Sequence, residues 1–292
     1  MKRLSIVIVT YNSEGDIFDC ISSIFNHNDI KEQDLEVIVV DNNSPNGENM
    51  FRQLDKQFGN KLKLITNTHN GGYGQGNNVG IRLASAPIVM IMNPDVRLVQ
   101  PIFQTALKTF SKDSQLSLLG MKQMLSDTLP SHNSFACTYM INGYLYTLLS
   151  ALSSRLDLYI PCLMYLSGAC FFLRKDLFTQ IGMFDESVFL YGEEDDIHYR
   201  LKKRFGPHFK YNSHLHYIHL IGDRKPNLNY EKTKIDVAAD HAQRKGYKRE
   251  KMLKNRLQNT KMLLWREKLK NNKSPQYAML RDLMEYIKSQ IK

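Results

Sequence analysis

Leu4-Ser5-Ile6-Val7-Ile8-Val9, running straight into Thr10-Tyr11-Asn12-Ser13, is the stretch on which the reading of the fold turns. Its apolar residues are nearly continuous and mostly β-branched, as suits a strand buried on both faces of a parallel sheet. The pattern recurs. Leu35-Glu-Val-Ile-Val-Val40 runs into Asp41-Asn42-Asn43-Ser44, Leu62-Lys-Leu-Ile65 into a Gly/Asn-rich loop, and Ile88-Val-Met-Ile-Met92 into Asn93-Pro94-Asp95. Between these runs, apolar residues return at helical spacing: Ile17, Ile21, Ile24 and Phe25, then Met50, Phe51, Leu54 and Phe58, then a helix ending near Ala84. Strand–helix alternation with short links predicts an α/β fold with right-handed crossovers and a mostly parallel sheet. Ligands of such sheets bind at the carboxyl ends of the strands, and the polar clusters 10–14, 41–44 and 93–95 all fall there.

Composition sets the outer limits. The 292 residues carry ordinary globular proportions, 42% hydrophobic and 23% charged, which exclude wholesale disorder, collagen and a disulfide-stapled miniprotein. Cysteines 20, 137, 162 and 170 form no C-x-x-C pair, so a zinc ribbon or thioredoxin-type motif is not expected. The apolar run after Arg3 is too short for a signal peptide, and a cytoplasmic location is the expectation. The formal charge of +10 is uneven, since residues 241–292 hold 15 Lys and Arg against 4 Asp and Glu while the remainder is nearly neutral. That distribution disfavours nucleic acid as a partner of the core and suits a basic tail drawn to an anionic surface.

The middle of the chain is less legible. Residues 128–154 contain no Asp, Glu, Lys or Arg, which predicts a buried or interfacial helix pair in preference to a membrane span, because Pro130, His132, Asn133 and many Ser and Thr interrupt it. Gly168-Ala-Cys-Phe-Phe-Leu173 reads as a further strand and Lys175–Ile181 as a short helix. Glu193 to about Phe205 reads as a helix with its acids at the amino end and Lys202-Lys203-Arg204 at the other. The segment 211–221 is His-rich and extended, and after Pro226 a polar helical tail follows. Leu253, Leu257, Leu264, Trp265 and Leu269 could line one strip of that tail.

Several segments could carry chemistry. Asp41, at a strand end beside Thr10-Tyr11, could accept the imide N–H of uracil or thymine, or could simply form a turn. Asn70–Gly80 would let a backbone approach a phosphate or ribose closely. It is not a dinucleotide fingerprint, because the third glycine falls one residue late. Asp95 would project at the ligand edge, where a divalent cation could bridge it to a diphosphate. Glu193-Glu194-Asp195-Asp196 crowds four acids into one turn. At about 100° per residue, Glu193 and Glu194 flank the buried Ile197 face, Asp195 points away and Asp196 lies to one side. Such crowding suits a base with a raised pKa. His208, His214, His216 and His219 are individually more at home as non-ligands.

Taken in order, Ser5–Asn12, Val39–Ser44, Asn70–Gly80, Asn93-Pro-Asp95, Gly168–Leu173, Gly182-Met-Phe-Asp-Glu186 and Phe189-Leu-Tyr-Gly-Glu-Glu-Asp-Asp196 resemble the family 2 glycosyltransferases, particularly the rhamnosyltransferase-like branch, over roughly residues 3–225. The resemblance implies a GT-A fold, a nucleotide-sugar donor and inversion at the anomeric carbon. It implies that Thr10, Tyr11, Glu14 and Asp41 hold base and ribose, with Asn12 and Asn43 in the same motifs. Gly72, Tyr73, Gly74, Asn77 and Asn93 would line the donor. Asp95 and His219 would hold Mg2+ or Mn2+, the first Asp of the family's Asp-x-Asp being absent. Glu194 would be the catalytic base, with Asp196 as a second catalytic carboxylate.

The expected organisation is a GT-A domain over 1–225 and a basic helical extension over 226–292. The expected reaction moves rhamnose or a hexose from a dTDP- or UDP-sugar to a hydroxyl of a growing, lipid-linked surface saccharide. The alternatives are a nucleotidyltransferase, which lacks its Lys/Arg-bearing triphosphate loop here, and a non-catalytic saccharide-binding module. Expected partners are the donor, the saccharide acceptor and an anionic membrane surface met by the tail, with a homodimer left open.

Overall fold

Each apolar run of the first hundred residues is a strand, and each helical pattern between them is a helix. In the computed structural model, which describes residues 2–138, 140–220 and 227–291, the chain runs β1 (Leu4–Thr10), α1 (Ile17–Asn26), β2 (Leu35–Asp41), α2 (Gly47–Phe58), β3 (Leu62–Thr66), α3 (Gly72–Leu83), β4 (Ile88–Met92) and β5 (Val96–Leu98). It continues through α4 (Phe103–Lys112), β6 (Leu118–Met124), β7 (Phe135–Cys137), α5 (Gly143–Leu156), β8 (Met164–Leu166), β9 (Cys170–Arg174) and α6 (Lys175–Gln180). The last elements are α7 (Glu193–Phe205), β10 (Phe209–His219), α8 (Leu228–Arg244), α9 (Arg249–Asn271) and α10 (Pro275–Gln290).

Two compact units result, one of residues 1–135 and 166–221, the other of 136–165 and 222–292. The expected boundary at 225/226 lies in 221–226, outside the described residues. The expected division also kept 136–165 with the first domain, whereas the structure groups this segment with the carboxyl-terminal helices.

The first unit is an eight-stranded sheet in the order β3-β2-β1-β4-β9-β6-β10-β5. The four strands foreseen in the first hundred residues pair in parallel, with Leu4 opposite Leu35 and Ile88 and with Thr10 opposite Asp41. β9 is inserted antiparallel between β4 and β6, which places Cys170 opposite Met92 and brings residues 168–169 beside 93–95. β1 is buried on both faces. Leu4, Ile6 and Ile8 join Ile17, Ile21 and Ile24 of α1 in the main core, which extends to Phe103 and Phe110 of α4. Each such side chain removed from water contributes about 1.5–3 kcal/mol before entropy is counted.

The opposite face of β1 meets α3 at unusually short range. A Cβ at Gly80 would stand 2.3 Å from Val7 Cγ1, and one at Gly76 would stand 2.7 Å from Val9 Cγ1. The Gly/Asn-rich segment is therefore a helix from Gly72 onward. Most of its glycines make close contact with the sheet and neighbouring loops, and the part expected as a loop is helical from Gly72.

The second unit is built mainly of α5 and α8 to α10. Its own core holds Ile235, Ala239, Ala242, Met252, Leu253, Leu283 and Ile287. Side-chain caps start three of its helices, with Asn142 accepting from the Tyr144 and Leu145 N–H groups, Asn227 from Tyr230 N–H and Ser274 from Tyr277 N–H. The predicted apolar strip of the tail is divided. Leu253 and Leu257 pack inward, while Trp265 and Leu269 are exposed. The uncharged segment forms one helix, α5, rather than a pair, and no helix among the described residues is long and apolar enough to cross a membrane.

Candidate functional site

A cavity of about 350 Å³ opens where β1, β2 and β4 end. Tyr11, Ser13 and Asp16 line it from the loop after β1, and Asn42 from the turn after β2. Asn70, Gly72 and Tyr73 come from the start of α3, Asn93, Pro94 and Asp95 from the turn after β4, and Phe189 and Leu190 from the loop before α7. A hollow of about 430 Å³ near the amino ends of β2 and β3, bordered by Lys2, Glu32, Glu36 and Lys63, shares no residue with the motifs.

The turn at 93–95 is held from several sides. Asn93 N–H donates to Ala169 O at 2.8 Å, and Arg97 Nη1 donates to Pro94 O at 3.0 Å while its Nη2 lies 3.4 Å from Asp16 Oδ1. Asp95 is thereby presented to the cavity, and its carbonyl accepts from Leu220 N–H at 2.9 Å. That bond secures the end of β10, so His219 Nε2 comes to 3.2 Å from Asp95 Oδ1, and His219 Nδ1 is buried without a partner. Asp95 and His219, more than a hundred residues apart, are thus brought together. His216, by contrast, is occupied by Gln100 Nε2 at 2.9 Å.

The acid cluster resolves into different roles. Tyr191 (φ 78°) and Gly192 (φ 84°) are both left-handed, a costly pair for the tyrosine, and they swing the chain from the Phe189 loop into α7. Glu193 is buried at 5% exposure, with Oε1 unpartnered. Burial first, then the charge of Glu194, pushes its pKa up to about 8, so it is neutral at pH 7. Asp196 accepts from Arg200 Nε at 2.7 Å, and Arg200 Nη1 in turn holds Ile181 O and Met183 O. Asp196, expected as a second catalytic carboxylate, is engaged by Arg200 and, like Glu194, lies outside the residues that line the cavity. Asp195, expected in solvent, is half-buried.

Glu194 remains. Its side chain lies so close to Gly168 that a Cβ there would fall 2.3 Å from Oε1. Gly168 O accepts from the Tyr73 hydroxyl at 2.7 Å, and burial together with Glu194 and Glu193 raises the Tyr73 pKa well above 10, so this phenol keeps its proton. Glu194 thus lies beside the 168–169 connection, whose Ala169 carbonyl accepts from Asn93 N–H and whose Gly168 carbonyl accepts from the Tyr73 hydroxyl.

Of the residues expected to contact a donor, Tyr11, Gly72, Tyr73 and Asn93 line the cavity. Thr10 and Asp41 do not. Asp41 is 1% exposed and accepts from Thr10 Oγ1 at 3.0 Å, Ser44 N–H at 2.8 Å and Ser44 Oγ at 2.6 Å. Its carboxylate is spent on shaping the turn. The polar side chain that lines the cavity is that of its neighbour Asn42, which donates to Gly72 O at 3.0 Å and accepts from Asn67 Nδ2.

Asn12 (φ 51°) and Asn43 (φ 63°) are exposed left-handed turn residues, a conformation asparagine tolerates. Gly74 packs against Phe184, and Asn77 is buried with its Nδ2 on Tyr73 O. Glu14 is half-buried outside the cavity lining. Sequence reasoning passed over Asn42, Asp16, Arg97, Phe189 and Leu190. The exposed apolar pair Phe189-Leu190 inside a polar loop was the one visible sign among these.

Residues 5–182 match the sequence model of Glycosyl transferase family 2. The low-salt glycan biosynthesis hexosyltransferase Agl10 of Haloferax volcanii is 28% identical over 210 residues, 70% of this chain and 62% of that protein. The poly(ribitol-phosphate) beta-glucosyltransferase of Bacillus spizizenii is 32% identical over 94 residues, 32% of this chain and 15% of that protein. The chain thus spans less than two thirds of either relative. Among solved structures, the mannosyltransferase PcManGT of Pyrobaculum calidifontis in complex with GDP-Man and Mn2+ has a TM-score of 0.57 at 16% identity, covering 100% of this chain and 70% of that one. S. aureus TarS 1-349 in complex with UDP has a TM-score of 0.55 at 16% identity, covering 89% and 70%. Both are likenesses of fold.

Proposed function

The chain belongs to glycosyl transferase family 2, and from that premise we propose that it is an inverting, metal-dependent enzyme moving rhamnose or a hexose from a dTDP- or UDP-sugar to a hydroxyl of a lipid-linked saccharide. The observation that carries this reading is that Asp95, paired with His219, and Tyr73, bonded to the carbonyl of the Gly168 that Glu194 lies against, both line the cavity at the strand ends. The relatives' names support a saccharide acceptor, and neighbours solved with GDP-Man and with UDP support a nucleotide donor.

The nucleoside lies against Tyr11, the exposed aromatic ring of the cavity lining. One carboxylate oxygen and one imidazole nitrogen make a fitting partial ligand set for Mg2+ or Mn2+, and His219 Nδ1 is a buried nitrogen without a partner. When bound, such an ion supplies positive charge to the diphosphate as it departs. Glu194 accepts the proton of the acceptor hydroxyl. The new bond from that oxygen to the anomeric carbon forms as the bond to the diphosphate breaks, and this single displacement inverts the centre. Glu193 contributes by staying neutral, so that a second negative charge does not stand beside the base. The basic tail would hold the enzyme at an anionic surface, where a lipid-linked acceptor resides.

The test is release of free nucleoside diphosphate from a panel of UDP- and dTDP-sugars with saccharide acceptors, the product anomer being read by NMR. Acceptor-dependent release with inverted configuration is expected. Release of pyrophosphate, or retention of configuration, would reject the proposal.

A further inference from the structure

α5 is turned inside out. Gly143, Thr147, Ser150 and Ser153 form its inward side. A Cβ on Gly143 would stand 1.9 Å from Asn255 O of α9, Thr147 Oγ1 accepts from Asn259 Nδ2 at 2.9 Å, the Ser150 side chain bonds Cys137, and Ser153 is buried. Small residues of this kind let two helices approach closely. The opposite side carries Tyr144, Leu145, Leu148, Leu152 and Leu156, each 46–62% exposed. At about 100° per residue these five occupy an arc of roughly 120°, the width of the stripe with which an ordinary surface helix would face its core. In water such a stripe is unfavourable, and the helix carries no acidic residue, its lone charge being Arg155 near the far end.

The charge of the same unit identifies the occupant. Its segment 241–292 holds 15 Lys and Arg against 4 Asp and Glu, and Trp265 and Leu269 of α9 are exposed among them. A second copy of this unit would meet like charge with like charge. An anionic bilayer offers both a hydrocarbon boundary for the leucines and counter-charge for the lysines. We propose that the Tyr144–Leu156 stripe of α5 docks into the interface of an anionic membrane, the basic residues of the same unit binding the headgroups. This builds on the membrane-held acceptor proposed above, and names α5 rather than the tail as the inserting element.

The test is sedimentation of the full chain with vesicles of phosphatidylcholine alone and of equimolar phosphatidylcholine and phosphatidylglycerol, for wild type and for Leu148→Gln/Leu152→Gln. Both leucines are exposed, so the fold survives, and calorimetry with UDP and dTDP verifies the nucleotide site independently. Wild type should bind the anionic vesicles, less so in raised salt. The variant should lose about tenfold or more of that binding at unchanged UDP affinity. Equal binding of variant and wild type overturns the proposal, as does absence of wild-type binding, or a dimer in sedimentation equilibrium that the variant dissociates. Failure to bind both UDP and dTDP with vesicle binding intact would instead count against the proposed donor alone.

Discussion

Gly168→Ala should disable the enzyme while leaving it folded and able to bind nucleotide. The added methyl would lie 2.3 Å from Glu194 Oε1 and 2.9 Å from its Cδ and Cγ, whereas ordinary contact starts near 3.4 Å. The carboxyl oxygen must therefore retreat by roughly 1 Å, a displacement that typically costs about 100-fold in rate. Gly168 is not among the glycines of positive φ, so alanine meets no backbone penalty. The obstacle is the end of a flexible side chain, costing about 0.5–1.5 kcal/mol if pushed off its rotamer, against a gain of about 0.4–1 kcal/mol from restricting the unfolded chain. Stability should thus change by less than about 1 kcal/mol, while kcat falls about 100-fold, equivalent to about 2.7 kcal/mol in the barrier. Glu194→Gln should lower kcat by about 10²–10⁴. The double variant should be no worse than Glu194→Gln, because the misplaced group no longer acts as a base. Initial rates of diphosphate release, UDP calorimetry and thermal unfolding make the comparison. Wild-type kcat in Gly168→Ala, or a double variant that suffers both losses in full, would refute the placement of the base.

Three further outcomes follow from the geometry. Asp41→Asn should lower unfolding stability in urea by about 1–3 kcal/mol, because a buried acceptor of three hydrogen bonds is replaced by a group that must also donate; unchanged stability with lost UDP affinity would return Asp41 to the nucleobase. Asp95→Asn and His219→Ala should each raise the Mn2+ concentration needed for half-maximal activity, and full wild-type activity in excess EDTA would reject the metal. Glu193 has a folded pKa raised from 4.5 to about 8, so between these values the folded state holds a proton that the unfolded state has lost, and stability falls as pH rises. Glu193→Gln should flatten the decline of Tm from pH 5 to 8, and parallel wild-type and variant curves would contradict the burial.

Much of the fold was legible because its signal is local. Buried parallel strands such as Leu4–Thr10 and Ile88–Met92 announce themselves as apolar runs, and the polar residues that end them mark the ligand edge. What the sequence hid is geometry of the third dimension. Asp41 and Asn42 differ by one position at a strand end, where successive side chains take opposite directions, so one is buried beneath the turn and the other lines the cavity. The acids 193–196 look alike in sequence, and only packing makes one neutral, one an ion-pair partner and one a neighbour of Gly168. Position 168 carries no sequence sign of its purpose, since the side chain it makes room for lies twenty-six residues downstream. For 128–154 the lack of charge suggested a buried or interfacial helix pair, and the structure has one helix there, α5, with its leucines on the exposed side.

The wall that α3 gives to the cavity at the strand ends has a consequence for how the molecule comes into being. Four of its twelve residues are glycine, each about 1 kcal/mol less favourable in a helix than alanine, and a segment of this length is marginal in isolation even with an ideal composition. A peptide of residues 70–84 should therefore be a coil. In the whole chain the helix has nothing to hold it until β1 and β2 have paired and offered Val7, Val9 and Val40 as a floor. The cavity should accordingly be assembled after its scaffold, and the amide protons of α3 should exchange with solvent in step with opening of those strands rather than by fraying from their own ends. In an exposed helix, glycine-to-alanine changes would stabilise; here, at 76 and 80, they would prise a late-forming wall off the sheet that nucleates it.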